Sequence, residues 1–397
     1  MTENSERTML VQGAILAAAG FVTKIIGFLY RIPMANLLGN AGNGIYSVSF
    51  GIYNIALTLS SCSMPLAVSK MVSARTARGD ERSARRVFAD ALVFAVLLGG
   101  AAALILHFGA GALEELYHRP GLAKPLRVLA PTTFVVALLG TFRGWFQGHG
   151  NMVPTAVSQI LEQIVNAFVS VIAAWQLMRI YAADPQAEAW GAAGGTLGTL
   201  AGAAAGLAFV MFLFFRTRRP RSGLRSAPEA HFLIYRQLIL TVIPVVLSQT
   251  IYQIGYTLDD FLFGNVMALR GFADAEVSAL QGVFNTQYNQ MVNLPVAIAT
   301  AMAASAVPSI VAASVGRGSR RELQRKITAV IKLNMAVAIP CAVGLSVLAF
   351  PIMHLLFPSL GNKELLAVRL LQTGSSAAVF YALSTITTAV LQAGDFM

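Results

Sequence analysis

Residues 9–32 read MLVQGAILAAAGFVTKIIGFLYRI. The run is long enough to cross a bilayer, since a spanning helix needs about 20 residues. It carries Lys24 near its middle and Arg31 seven residues later. That spacing is almost two helical turns, so both cations share a face. Gly13, Ala17, Gly20 and Gly27 fall on the same stripe, and Leu10, Ile15, Phe21, Val22, Ile25, Phe28 and Leu29 form the other side. One face suits lipid; the other is small, close-packing and cationic. A charge inside a span costs about 2.5–3.5 kcal/mol on insertion scales and usually faces an interior or a watery cavity.

The rest of the chain continues this hydrophobicity. Of 397 residues, 56% are hydrophobic and 12% charged, against about 25% charged in soluble domains. The mean hydropathy is +0.65. These values define an all-α polytopic membrane protein and exclude a soluble fold of this length. The net charge of +11 would raise nucleic acid as a partner in a soluble chain. Here the basic residues sit in short loops between apolar runs, where they set topology, so no nucleic-acid partner is expected. The opening MTENSERTML has no basic stretch of the kind a secretory signal carries, so the first helix is expected to be retained. Cys62 and Cys341 each lie in an apolar segment and are read as neither a disulfide nor a metal site.

Ten spans are read, at about 9–32, 45–72, 87–108, 126–147, 153–178, 190–215, 237–263, 278–306, 327–350 and 365–392. Span six carries Gly191, Gly195, Gly198, Gly202 and Gly206, a small-xxx-small pattern that predicts close helix packing. Arginine-rich loops alternate with acidic ones. Arg75, Arg78, Arg82, Arg85 and Arg86 follow span two, Arg216 to Arg225 follow span six, and Arg317 to Lys326 follow span eight. The opposite loops hold Glu114, Glu115, Asp184, Glu188, Asp274 and Glu276. The positive-inside rule then predicts a multi-pass protein of the plasma membrane with a cytoplasmic N-terminus.

The polar stretch 216–229, RTRRPRSGLRSAPE, divides a six-helix lobe, 1–215, from a second lobe, 230–397, with four spans. The halves echo one another. Pro65 leads through a basic loop with Gly79 and Arg86 into span three, as Pro308 leads through Gly318 and Arg325 into span nine. Gln147-Gly148 ends span four, and Gln392-Ala393-Gly394 ends span ten. A parallel repeat of six spans is a transporter pattern. On that pattern the second lobe is expected to be incomplete and the chain truncated.

Polar residues cluster inside three spans. Gln159, Glu162, Gln163 and Asn166 form one helical stripe in span five. Span seven carries Gln253, Asp259 and Asp260, and span eight carries Asn285 and Asn289. With Lys24 and Arg31 these are the candidate substrate-binding residues, because amides suit hydroxyl-rich ligands and cations suit phosphate. Glu162, Asp259 and Asp260 are also candidates for a gate or ion coupling, with Arg31 a candidate partner for one of the aspartates. The alternatives are interhelical hydrogen bonds for the amides, a structural salt bridge for Glu162 and an interfacial anchor for Arg31. The loop 39–44, GNAGNG, has no preceding strand and no following Lys-Ser/Thr, so it reads as a flexible external turn and not a nucleotide cradle. The histidines 107, 118, 149, 231 and 354 lack metal-ligand spacing. No cofactor, metal or enzymatic activity is expected.

Several stretches together resemble the multidrug/oligosaccharidyl-lipid/polysaccharide exporter superfamily, and within it the polysaccharide biosynthesis and stage V sporulation protein B branch, similar to lipid II flippases. They are Phe142-Arg143-Gly144-Trp145-Phe146-Gln147-Gly148, Ser158-Gln159 with Glu162-Gln163, Asn293-Leu294-Pro295, Val307-Pro308-Ser309-Ile310, and Pro65 with Ser69-Lys70. The resemblance implies a two-lobe MATE-like bundle with a pseudo-twofold repeat. It also implies flipping of a polyprenyl-diphosphate-linked glycan by alternating access, driven by a proton or sodium gradient or by the membrane potential. Asn166 stands where family members often carry an arginine. A cation-coupled multidrug exporter of the same fold and a non-transporting scaffold for wall synthesis are the other readings.

Overall fold

The computed structural model describes residues 3–61, 63–217, 230–315 and 320–393. The described chain is helical throughout and divides into two compact units, Met1–Gln281 and Gly282–Met397. Most of the expected divider, 216–229, lies outside the described residues.

In the first unit, α1 (Glu3–Ser60) is broken at Gly39, whose φ of 67° and ψ of −177° suit only glycine. Tyr30 and Tyr46 share a side-chain hydrogen bond. A continuous helix would hold them about 24 Å apart, so the chain folds back at Gly39 and α1 is a pair of helices. Asn43, 1% exposed, staples the bend: its Nδ2 donates to Ala35 O at 2.7 Å and to Gly39 O at 2.6 Å. The stretch 39–44, read as a flexible turn, is instead helical. Its amide side chain satisfies carbonyls that the break leaves open. Gly44 packs against the backbone of Ser278, where a Cβ would collide.

Pro65 starts α2 (Met64–Thr76), and Asp80 caps α3 (Glu81–Leu116) by accepting from Ser83 N at 3.0 Å. Four more long helices follow: α4 (Ala123–Gly148), α5 (Val153–Ile180), α6 (Ala187–Arg216) and α7 (His231–Leu269). The short α8 (Asp274–Gly282) closes the unit. A Cβ at Gly194, Gly198 or Gly202 of α6 would sit 2.5–2.6 Å from backbone atoms of α5. The glycine stripe is therefore the close-packing surface its spacing predicts. α7 and α8 pack with the first six helices: Gly51 O lies 3.5 Å from Thr257 Oγ1, and Arg75 donates to Gln237 Oε1 at 3.0 Å.

In the second unit, a π-helical turn, Val283–Tyr288, leads into α9 (Asn289–Val315). Then come α10 (Arg320–Val347), α11 (Ala349–Leu356), α12 (Glu364–Gly374) and α13 (Ala377–Ala393). α9, α10 and α13 meet through Ala299, Ala338 and Ala382, all at most 2% exposed.

Among the described residues, seven helices are long and apolar enough to cross a membrane, eight if one bent pair is a single span. The first of these runs from Val11 to Thr76 and, with the fold-back at Gly39, covers two expected spans. Among the described residues each of the ten expected segments falls largely on helix, but not all are single rods: 45–72 runs from α1, which ends at Ser60, into α2, which starts at Met64. The segment 278–306 contains the π turn, and 365–392 is α12 and α13, bent by 47°.

Candidate functional site

α5 sorts its residues onto two faces. Val157, Ile164, Phe168, Ile172 and Trp175 are 39–67% exposed. Gln159, Glu162, Gln163, Asn166 and Ser170 lie on the opposite side of the helix, none of them exposed. The apolar face suits lipid, and the polar face turns into the bundle.

There the candidates find partners on three helices. Glu162 Oε2 accepts from Arg143 Nη2 of α4 at 2.7 Å, and Arg143 Nε donates to Ser158 Oγ at 2.9 Å. The buried Tyr53, from the second half of α1, lies within electrostatic reach of the same carboxylate. Gln163 Nε2 rests on Gly27, where a Cβ would be 3.1 Å away. Asn166 Nδ2 donates to the Tyr30 hydroxyl at 3.3 Å, and Asn166 Oδ1 lies 2.9 Å from Ser170 Oγ, which donates to Gly195 O at 2.8 Å. Gln159 Oε1 is buried with no donor among the described residues. Glu162 thus sits in an ion pair, and Asn166 is an interhelical link. Gln163 presses against a glycine that only a small residue can occupy.

The cationic stripe of α1 differs from its expected packing. Gly13 and Gly20 have nothing within 4 Å of an added Cβ, and Lys24 is exposed. Only Gly27 is closed over, by Gln163. At Gly13 and Gly20 the stripe faces open space and is not a packing seam. Arg31, also exposed, lies by the phenols of Tyr30 and Tyr46.

Asp260 is placed elsewhere. It accepts from Gln281 Nε2 at its backbone oxygen at 2.9 Å and lies in the field of Tyr117 and Arg119. Gly51 faces Asp260 and Thr257, while Tyr53 faces Glu162. Positions two apart on a helix point to opposite sides, so the second half of α1 stands between the α5 stripe and the α7 carboxylate. Asp259 is exposed, and Gln253 is half-buried with its carbonyl accepting from Thr257 Oγ1 at 3.1 Å. Asn285 lies inside the π turn of the second unit and Asn289 directly after it, both half-buried. π turns are frequent at functional sites.

The sequence reading passed over Arg143, Tyr53 and Arg119 as site residues. Arg143 had a usable signal, as a charged residue inside an apolar segment. Arg119 sits in a loop and is only 3% exposed, with Nη1 donating to Ser278 Oγ at 2.6 Å and Asp274 O at 3.3 Å. Burial pulls its guanidinium down to about 10, opposed by the charges of Asp274 and Asp260. Its position between two acids depends on the tertiary fold alone.

A bundle of long apolar helices with an inward polar face is that of a polytopic helical membrane protein. The inward-facing structure of a multidrug resistance MATE family transporter of the MOP superfamily shares the fold, with a TM-score of 0.69 at 16% identity over 94% of this chain and 81% of that one. The chain belongs to the polysaccharide biosynthesis protein family, whose model matches residues 10–314. It is 28% identical to stage V sporulation protein B of Bacillus subtilis (strain 168) over 77% of this chain and 58% of the relative. It is 26% identical to lipid II flippase MurJ of the same organism over 96% of this chain and 72% of that protein. The chain therefore spans less than two thirds of the sporulation relative's length.

Proposed function

We propose that this protein moves a polyprenyl-diphosphate-linked oligosaccharide across the bacterial plasma membrane by alternating access. The cargo is a peptidoglycan or spore-cortex precursor or another wall polysaccharide. The observation that carries this reading is the open cationic stripe of α1, closed at Gly27 by the amide-rich, ion-paired face of α5. Amides and hydroxyls suit a glycan, and an exposed lysine inside a span suits phosphate and calls for a watery cavity. The printed names of the two relatives, a lipid II flippase and a sporulation protein, support the same cargo class. No enzymatic step is required. A proton or sodium gradient or the membrane potential supplies the energy, the potential at about 2.3 kcal/mol per charge per 100 mV. The stretch 216–229 is kept as the divider of the two sequence repeats, although α7 and α8 pack within the first compact unit, and the N-terminus is cytoplasmic on the positive-inside reading of the arginine-rich loops.

Lys24→Ala and Lys24→Glu test the reading in cells that depend on this protein. Lipid-linked precursor reaching the outer leaflet is expected to fall by about tenfold or more, the equivalent of one charge-assisted contact, with the protein still present in the membrane. A non-transporting scaffold would be indifferent to either change. A cation exporter of the same fold would keep or gain efflux of cationic compounds in Lys24→Glu. Either outcome removes the proposal.

A further inference from the structure

Arg143 and Glu162 form an ion pair that is neither sealed nor complete. The Arg143 side chain is 13% exposed and that of Glu162 29%. Glu162 engages with one oxygen only, Oε2, so the two-pronged fork available to a guanidinium and a carboxylate is not formed. A guanidinium has five N–H donors. Nε serves Ser158 and Nη2 serves Glu162, while Nη1 makes no hydrogen bond among the described residues. Glu162 lies on the side of α5 away from its exposed apolar face. One turn along α5, the buried Gln159 Oε1 has no donor. A purely structural lock would be expected to close these valences, because unpaired polar groups are costly in a membrane interior.

We infer that Glu162 is a built-in stand-in for the substrate's anion, and that an entering diphosphate takes Arg143 from it. The inference rests on the proposed flippase reading and adds a recognition residue to it. A diphosphate offers several oxygens to the unused donors and more charge than one carboxylate, so it outcompetes a one-pronged partner. In the empty state Glu162 neutralises Arg143 and lowers the cost of holding a bare cation in the span. After exchange, Glu162 keeps the Tyr53 phenol beside it, and a sugar hydroxyl can donate to Gln159 Oε1. Arg143 is thereby a specificity residue for diphosphate-linked over neutral lipids.

Binding of farnesyl diphosphate to the purified protein in detergent, with farnesol as the neutral control, tests this. Glu162→Gln removes the competitor and is expected to tighten diphosphate binding by about tenfold, while Arg143→Gln weakens it by at least as much. Farnesol binding is expected to be unchanged in both. Should a single variant fail to fold, the neutral pair Arg143→Gln/Glu162→Gln leaves no lone charge, and it is expected to bind the diphosphate as weakly as Arg143→Gln. If affinity is the same in wild type, Glu162→Gln and the neutral pair, the pair is structural and the inference fails, while a loss in Lys24→Ala would leave the flippase reading standing. If wild type itself does not prefer farnesyl diphosphate to farnesol, both fail.

Discussion

Gly20 and Gly198 sit in similar apolar helices but in opposite surroundings. An added Cβ at Gly20 meets nothing within 4 Å, whereas at Gly198 it would sit 2.5 Å from Ser170 N and collide with the Ser170 hydroxyl. Gly20→Ala is therefore expected to be neutral or to stabilise by up to about 1 kcal/mol through helix propensity. Gly198→Ala is expected to cost about 1–3 kcal/mol by overpacking and to disturb the Ser170 bond to Gly195 O. Thermal unfolding in detergent measures both, and equal effects would contradict the placement of α6 on α5. The two glycines also mark what was legible at this scale. Helical spacing found the polar stripe of α5 and the packing stripe of α6, because both follow from a period of 3.6. It could not tell a packing stripe from a lining, since that depends on which neighbour arrives. Gly13 and Gly20 look like packing glycines in the sequence and face open space in the fold. Partner choice was hidden for the same reason: Arg143 and Glu162 are near in sequence, but Tyr53 reaches the pair only because α1 folds back.

Individual helices carry their own start signals, and α3 is the clearest. Asp80 is half-buried and accepts from Ser83 N, and that bond, with a second from the Ser83 side chain, holds its carboxyl below the usual carboxylate range. Asp80→Ala is expected to cost about 1 kcal/mol at pH 7, the ordinary worth of such a cap. A carboxylate held low in the folded state stabilises fully above its unfolded pKa, and this is lost as pH falls through the lowered value. The difference between wild type and Asp80→Ala should therefore vanish in unfolding experiments well below about pH 3.9, the ordinary value of an aspartate. A difference that persisted there would show that the cap does not act through the ionised group. Element positions were largely legible from hydropathy, since the expected spans fall mainly on helix among the described residues. Element breaks were less so. The expected span 45–72 ran through Pro65, which instead starts α2, and the fold-back at Gly39 depends on Asn43 reaching two carbonyls. The π turn at Val283–Tyr288 holds no proline or glycine, while the bend between α12 and α13 falls on Gly374-Ser375-Ser376, a signal the ten-span reading passed over.

Within the first unit α7 is tied down directly at one end and through α8 at the other. With 39 residues it is about 58 Å long, more than a bilayer's full thickness of about 40–45 Å, so its ends belong to opposite interfaces. At one end His231 Nδ1 lies 2.8 Å from Asp90, and Arg75 holds Gln237. At the other, Arg119 joins the α3–α4 turn to Ser278 and lies in the field of Asp260, with its Nη2 placed 3.3 Å from where a Cβ on Gly264 would be. The proposed alternating access would require these ties to open in turn. Arg119→Met removes the tie at the second end. Because burial lowers the Arg119 pKa to about 10, the buried charge opposes folding below that pH, and the opposition fades above it. Losing the charge is therefore not expected to unfold the protein, and the melting midpoint should stay within a few degrees. The readout is a cysteine replacing the buried Gly264, in a background with Cys62 and Cys341 changed to serine. It is expected to react slowly with a membrane-impermeant maleimide when Arg119 is present, and at least about tenfold faster in Arg119→Met, as a loss of one buried charge-assisted bond would allow. Equal labelling at equal melting temperature would mean that α7 does not open at this end, and alternating access would then have to proceed without releasing the Arg119 tie.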